Sequence, residues 1–206
     1  MLSYTPNKPD WCYSYIDIPN LEKIQEELLQ ARDICNITLQ NNPYYINFSR
    51  EEIYEHIPLL LDYLKQIGVE EKLWRIMFSA KSLPESRYKK QSAIHVDAVN
   101  KHITHSLNIP IMDCENTYTV WYRGRVELLN QEYNHYIGHN EKPLKNFAIV
   151  NENSAKEICR VETIRPMLVN TTIPHRGISN TESRVLCCIR FKPDLTEEEF
   201  VNITTI

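Results

Sequence analysis

No stretch of this sequence approaches the roughly 18–20 consecutive apolar residues that a membrane-spanning helix needs. The opening MLSYTPNKPDWCYSYIDIP has no basic segment leading into an apolar core, so a secretory leader is not expected. There is no basic stripe either. The 23 Lys and Arg are set against 27 Asp and Glu, a net charge of −4, with the signs mixed along most of the chain, which argues against a nucleic-acid partner. Six cysteines (Cys12, Cys35, Cys114, Cys159, Cys187 and Cys188) show no C-x-x-C spacing. Free thiols in a reducing cytoplasm are therefore expected rather than a disulfide framework. Internal repeats and low-complexity tracts are also missing, and only four glycines occur.

The 206 residues, 42% hydrophobic and 24% charged, suit one folded domain that buries roughly 70% of the surface of its unfolded chain. Residues 1–71 read as a helical section. Asn20 is placed to cap a helix through LEKIQEELLQARDI, whose apolar residues recur at three- and four-residue spacing. Ser49 with Glu52 forms a capping-box start for a second helix toward Leu64, broken or kinked at Pro58 and stopped at Gly68.

Residues 72–192 change character. LWRIMFSA, SAIHVDAV, HITHSLNIPI, NTYTVWY, NFAIV, EICRVETI, RPMLVNTT and SRVLCCIRF are short, rich in β-branched and aromatic residues, and separated by turn chemistry. Such spacing predicts a β-sandwich or barrel, mostly antiparallel. In HITHSLNIPI the residues Ile103, His105, Leu107, Ile109 and Ile111 share one face, and Thr104, Ser106 and Asn108 the other. The tail, 193–206, holds a short helix, TEEEFVNI, capped by Asp194 or Thr196.

The chemistry centres on His95-Val96-Asp97. A strand's period of two puts His95 and Asp97 on one face, where an imidazole and a carboxylate reach the same ion. A third ligand must come from afar, and His175 in LVNTTIPHRGISN is the best candidate. Two histidines and one carboxylate leave three coordination positions open, as a non-haem iron(II) oxygenase requires. Two of these suit a chelating 2-oxo acid and the third O2. The far carboxylate of that acid then needs a cation. Arg184 begins SRVLCCIRF nine residues after His175, and its planar fork grips a carboxylate while staying charged when buried.

H-x-D, a distal His and then an Arg, set on short strands behind helices, resemble the 2-oxoglutarate/iron(II)-dependent dioxygenase superfamily over approximately residues 72–192. Within it, SAIHVDAVNKHITHSLNIPI followed by ENTYTVWYRG resembles the aspartyl/asparaginyl β-hydroxylase branch and small phage and bacterial oxygenases. The resemblance implies a double-stranded β-helix, a jelly-roll or cupin-like barrel behind N-terminal helices. It implies a hydroxylase with iron(II) held by His95, Asp97 and His175, and with 2-oxoglutarate and O2 as co-substrates. Arg184 would hold 2-oxoglutarate, with His105, Ser106, Asn108 and Thr119 as further contacts. The substrate would be an amino acid, a peptidyl side chain or another small metabolite. Two features depart from the β-hydroxylases: Asp97 stands where they lack a metal carboxylate, and Thr104-His105-Ser106 replaces their basic pair.

Two other readings remain open: a cupin-like metalloprotein that does not use 2-oxoglutarate, and a non-catalytic β-sandwich binding module. His135 and His139 read as loop histidines because Gly138 lies between them and no glutamate ligand follows. The tract 81–90 reads as a solvated basic loop or a lid. Trp121, Tyr118 and Tyr122 read as barrel-wall residues, with one of them a candidate pocket floor. Cys187 and Cys188 read as inert packing.

Overall fold

A computed structural model describes residues 11–34, 45–80, 94–97, 105–129, 147–150, 152–179 and 184–205. The basic tract 81–90, His102, Thr104, His135 and His139 lie outside the described residues. In chain order the elements are β1 (Tyr13–Tyr15), α1 (Leu21–Ile34), β2 (Tyr45–Ser49), α2 (Arg50–Ile53), α3 (Pro58–Gln66) and β3 (Leu73–Ala80). Then come β4 (His95–Val96), β5 (His105–Met112), β6 (Thr117–Arg123), β7 (Val126–Leu129), β8 (Phe147–Val150) and β9 (Lys156–Glu162). The chain closes with β10 (Met167–Asn170), β11 (His175–Ser179), β12 (Val185–Phe191) and α4 (Glu197–Thr205).

The expected helix-rich front section holds, with one correction: β1 and β2 join it as strands. Asn20 stands immediately before α1 in left-handed backbone (φ 55), a conformation asparagine tolerates, and its carbonyl accepts from Ile24. The second helix does start at Arg50, but Pro58 splits it. Proline there could not donate to the preceding turn, so it occupies the first position of α3 instead. Glu27 of α1 caps α3 from outside, its two carboxylate oxygens accepting from the Leu59 and Leu60 amides at 2.7 and 3.0 Å. Those amides would otherwise be orphaned at a helix start. Gly68, at φ +76, ends this section. At the far end Thr196 caps α4 in a reciprocal box. Its hydroxyl accepts from the Glu199 amide, and the Glu199 carboxylate accepts from the Thr196 amide at 2.6 Å.

The strands form two antiparallel sheets, ordered β1-β10-β5-β12-β3-β2 and β7-β8-β4-β11-β6-β9. Setting aside the β7–β8 hairpin, the strands from β3 to β12 alternate between the sheets except where β6 and β9 pair directly. The protein is therefore mainly β, with helices on one side. The outer face of the first sheet presents Ile76, Phe78, Leu107, Ile109, Leu168, Cys187 and Ile189 to Ile24, Leu28, Leu60, Leu64 and Ile203 of the helices. A smaller core joins the inner faces of the two sheets through Trp121, Val161, Met167, Val169 and Ile173. No helix among the described residues is long and apolar enough to cross a membrane.

Candidate metal centre

The two inner faces meet at the residues singled out above. β11 starts where it does because Asn170 closes the turn after β10. Its side-chain oxygen accepts from the Thr172 amide and hydroxyl at 3.0 and 2.6 Å, reversing the chain ahead of Pro174 and His175. Trp121 braces the same turn through Nε1–H donating to the Asn170 carbonyl at 3.0 Å. In the resulting register His175 lies directly opposite Trp121 on one side and His95 on the other. Asp97 follows β4 by one residue, tied by its amide to the Thr171 carbonyl at 3.3 Å.

His95 Nε2 therefore stands 3.2 Å from Asp97 Oδ1, and His175 Nε2 3.8 Å from Asp97 Oδ2. One ligand atom from each of the three residues lies within 4.8 Å of the others, so the group can hold a metal ion. An ion about 2.1 Å from each donor needs donor separations of about 3–3.6 Å, which modest side-chain rotation reaches. The donor set fits as well as the spacing. His175 Nδ1 contacts the Ile173 carbonyl at 2.9 Å, which assigns the proton to Nδ1 and leaves the Nε2 lone pair for a cation. Burial pushes the His175 pKa down to about 4, so the imidazole is in its neutral, ligating form at neutral pH. Burial alone would raise the Asp97 pKa. The Arg190 charge and the His95 contact outweigh it and hold the carboxyl well below its usual range.

Arg190 was not anticipated from the sequence. It lies on the inner face of β12, and its Nη2 donates to Asp97 Oδ2. Arg184, at the start of the same strand, is buried, and its Nε finds no acceptor among the described residues. Its guanidinium packs closely against β11 at Gly177. A Cβ there would lie 3.3 Å from Arg184 Nη1. Gly177 follows His175 by two residues, about 6.6 Å along the strand and on the same face.

The remaining expected contacts divide. Ser106 and Asn108 face inward, directly opposite Arg190 and Cys188 of β12, and the Ser106 hydroxyl donates to Asn108 Oδ1 at 2.7 Å. Thr119 is buried opposite Gly177. His105 does not join them. Its ring stacks on Trp11 with centroids 5.3 Å apart, and Nδ1 lies 3.2 Å from Asp194 Oδ1, on the helix side of the sheet. The place of Asp194 is thus beside His105, while Thr196 takes the cap. Trp121 is fully buried in the inter-sheet core, and Tyr118 and Tyr122 pack on the outer face of the second sheet. Cys187 and Cys188 are buried free thiols. Burial pushes Cys188 up to about 11 and Cys187 well above its ordinary value, as inert packing requires. A depression of about 430 Å³ beside the β5–β6 turn, lined in part by Gln25, Asp113 and Glu162, shares no residue with the triad.

The buried imidazole makes the metal-free protein acid-sensitive. His175 takes its proton near pH 4 in the folded protein and near 6.5 when unfolded, so between these values the unfolded chain holds more protons. Stability is then complete above pH 6.5 and falls as the pH drops toward 4. The loss is about 3 kcal/mol, and Asp97 adds to it at still lower pH. Urea unfolding at pH 7, 5.5 and 4 with a chelator present measures this slope, which His175→Gln should flatten. No protein-family model and no curated protein matches the chain, so the reading of the site rests on its own geometry.

Proposed function

We propose that the protein is an iron(II)/2-oxoglutarate-dependent oxygenase that hydroxylates an amino acid, a peptidyl side chain or another small metabolite. One juxtaposition carries the reading. A two-histidine, one-carboxylate group lies between two β-sheets, and a buried arginine whose Nε has no acceptor among the described residues packs against Gly177, two residues further along the strand of the distal histidine. The strand order supports it too. Eight strands, β3 to β6 and β9 to β12, that alternate between two sheets save for the directly paired β6 and β9 are compatible with a double-stranded β-helix, with the triad at the ends of β4 and β11.

In this reading His95, Asp97 and His175 hold iron(II), which when bound supplies the oxidising chemistry with O2 as the oxidant. Arg184 pairs with the 5-carboxylate of 2-oxoglutarate, fixing the co-substrate so that its 2-oxo acid end meets the triad. Thr119, Ser106 and Asn108 offer hydrogen bonds along the cavity wall. Trp121 and the inter-sheet core keep bulk water from the distal histidine. 2-Oxoglutarate leaves as succinate and carbon dioxide. One oxygen atom goes to succinate and the other to the substrate, which leaves as an alcohol.

Anaerobic titration with iron(II) and then 2-oxoglutarate tests the assignment. A visible charge-transfer band that needs both components is expected. Iron binding without the band would replace this reading with a cupin-like metalloprotein, and no iron binding at all would leave a β-sandwich binding module.

A further inference from the structure

We propose that the Arg190 guanidinium anchors a carboxylate of the substrate, so that the enzyme acts on an anion. This rests on the reading of the triad as a metal and 2-oxoglutarate centre. Positions 184, 186, 188 and 190 share the inner face of β12, so both Arg184 and Arg190 enter the space between the sheets. Arg75 is next to Arg190 in the register, but its guanidinium lies 4.2 Å over the Trp74 ring. Among the described side chains, Asp97 is the acidic group that Arg190 meets.

Among the described residues, two guanidiniums and one carboxylate leave the space between the sheets one positive charge in excess before any ligand enters. A divalent metal adds two charges and 2-oxoglutarate removes two, so the excess of one remains in the loaded site. A buried uncompensated charge is costly, and a singly charged carboxylate from the substrate balances it. The hydrogen bonding agrees with the charge count. Arg190 gives Nη2 to Asp97, while Nη1 is buried and finds no acceptor among the described residues. Arg184 and Arg190 start about 20 Å apart along one strand, too far for the 5-carboxylate of 2-oxoglutarate to serve both. Arg184 lies against Gly177, and Arg190 lies against the metal carboxylate, where the oxidised carbon of a substrate must come. Ser106, directly opposite Arg190 on β5, adds a hydroxyl to that wall.

The test is calorimetric titration with acetate, and with acetamide as its neutral match. It is run on the metal-free Arg184→Gln chain, in which the other inner guanidinium is absent, and on the chain saturated with manganese(II) and 2-oxoglutarate. Acetate should bind about tenfold or more tightly than acetamide in both forms, since a charge-assisted hydrogen bond is at stake. Arg190→Gln should erase that preference and Arg190→Lys should keep most of it. Equal binding of acetate and acetamide, or a preference that survives Arg190→Gln, would overturn the proposal and make Arg190 only a holder of Asp97. Failure of manganese or 2-oxoglutarate to bind would instead strike the parent reading, while the metal-free titration still decides the role of Arg190.

Discussion

His175→Ala is expected to lower metal affinity by more than about 100-fold, because removing even an outer partner of a metal ligand costs 10–100-fold. The binding curve of manganese(II), followed by the loss of its free-ion paramagnetic resonance signal, measures this directly. Fold integrity is the necessary control. His175 contacts the Ile173 carbonyl, so truncation forfeits that contact and opens a small void, at a cost of about 1–2 kcal/mol. His175→Gln keeps most of the volume and should lose the metal while unfolding at nearly the wild-type urea concentration. Asp97→Ala is the poorer probe. It removes a ligand but also strips Arg190 of its counter-charge, and breaking a buried pair from one side costs up to about 3–5 kcal/mol. Metal loss in Asp97→Ala therefore does not separate a missing ligand from a loosened site. If His175→Gln binds manganese as the wild type does, the triad is not the metal site and the oxygenase reading falls with it.

The triad was legible because its elements obey short-range rules. Two residues flanking Val96 must share a face, and a histidine after Asn-Thr-Thr-Ile-Pro must begin a strand once the chain has turned. That His175 then falls opposite His95 is a matter of sheet register, which no local pattern contains. Alternation along β5 correctly grouped His105 with Leu107 and Ile109. It could not say which of the two faces meets the triad. The apolar company of His105 was the available clue, since that face packs on the helices while Ser106 and Asn108 face the other sheet. The same alternation, applied to SRVLCCIRF, puts Arg190 on the face of Arg184. The spacing from His175 drew attention to the nearer arginine and away from the one that touches Asp97.

The edge strands were hidden for a different reason. β1 is three residues long and β2 directly abuts a helix start at Ser49, so neither offers a run long enough to show a period. They are strands because β10 and β3 present open edges to them, a tertiary cause. Pro58 is a break legible in the sequence, since it lacks the N–H a continuing helix needs. Its consequence, a new helix capped by a glutamate from α1, depends on packing between segments more than thirty residues apart.

Arg184→Met separates the function of that residue from its place in the core, because the two pull stability and binding in opposite directions. If Arg184 grips the far carboxylate of 2-oxoglutarate, methionine removes charge-assisted hydrogen bonds worth about 1.5–3 kcal/mol each. Two such bonds correspond to a loss of 2-oxoglutarate affinity of about 100-fold or more. Metal affinity should change little, since no ligand is touched. The ligand-free protein should unfold at the same or higher urea, because the buried Nε has no acceptor among the described residues and an apolar chain carries no such cost. A structural arginine predicts the reverse, a clear loss of stability with co-substrate binding untouched. Gly177→Ala supplies the graded companion. Its Cβ would press on Arg184 Nη1 at 3.3 Å and shift the guanidinium by a few tenths of an ångström. Co-substrate affinity should therefore weaken by less than in Arg184→Met, while manganese binds as before. Isothermal titration of the manganese-loaded variants with 2-oxoglutarate, beside urea unfolding of the same preparations, distinguishes the two accounts. A 2-oxoglutarate affinity unchanged in Arg184→Met would leave the triad without its co-substrate anchor and return the site to a metal centre of another kind.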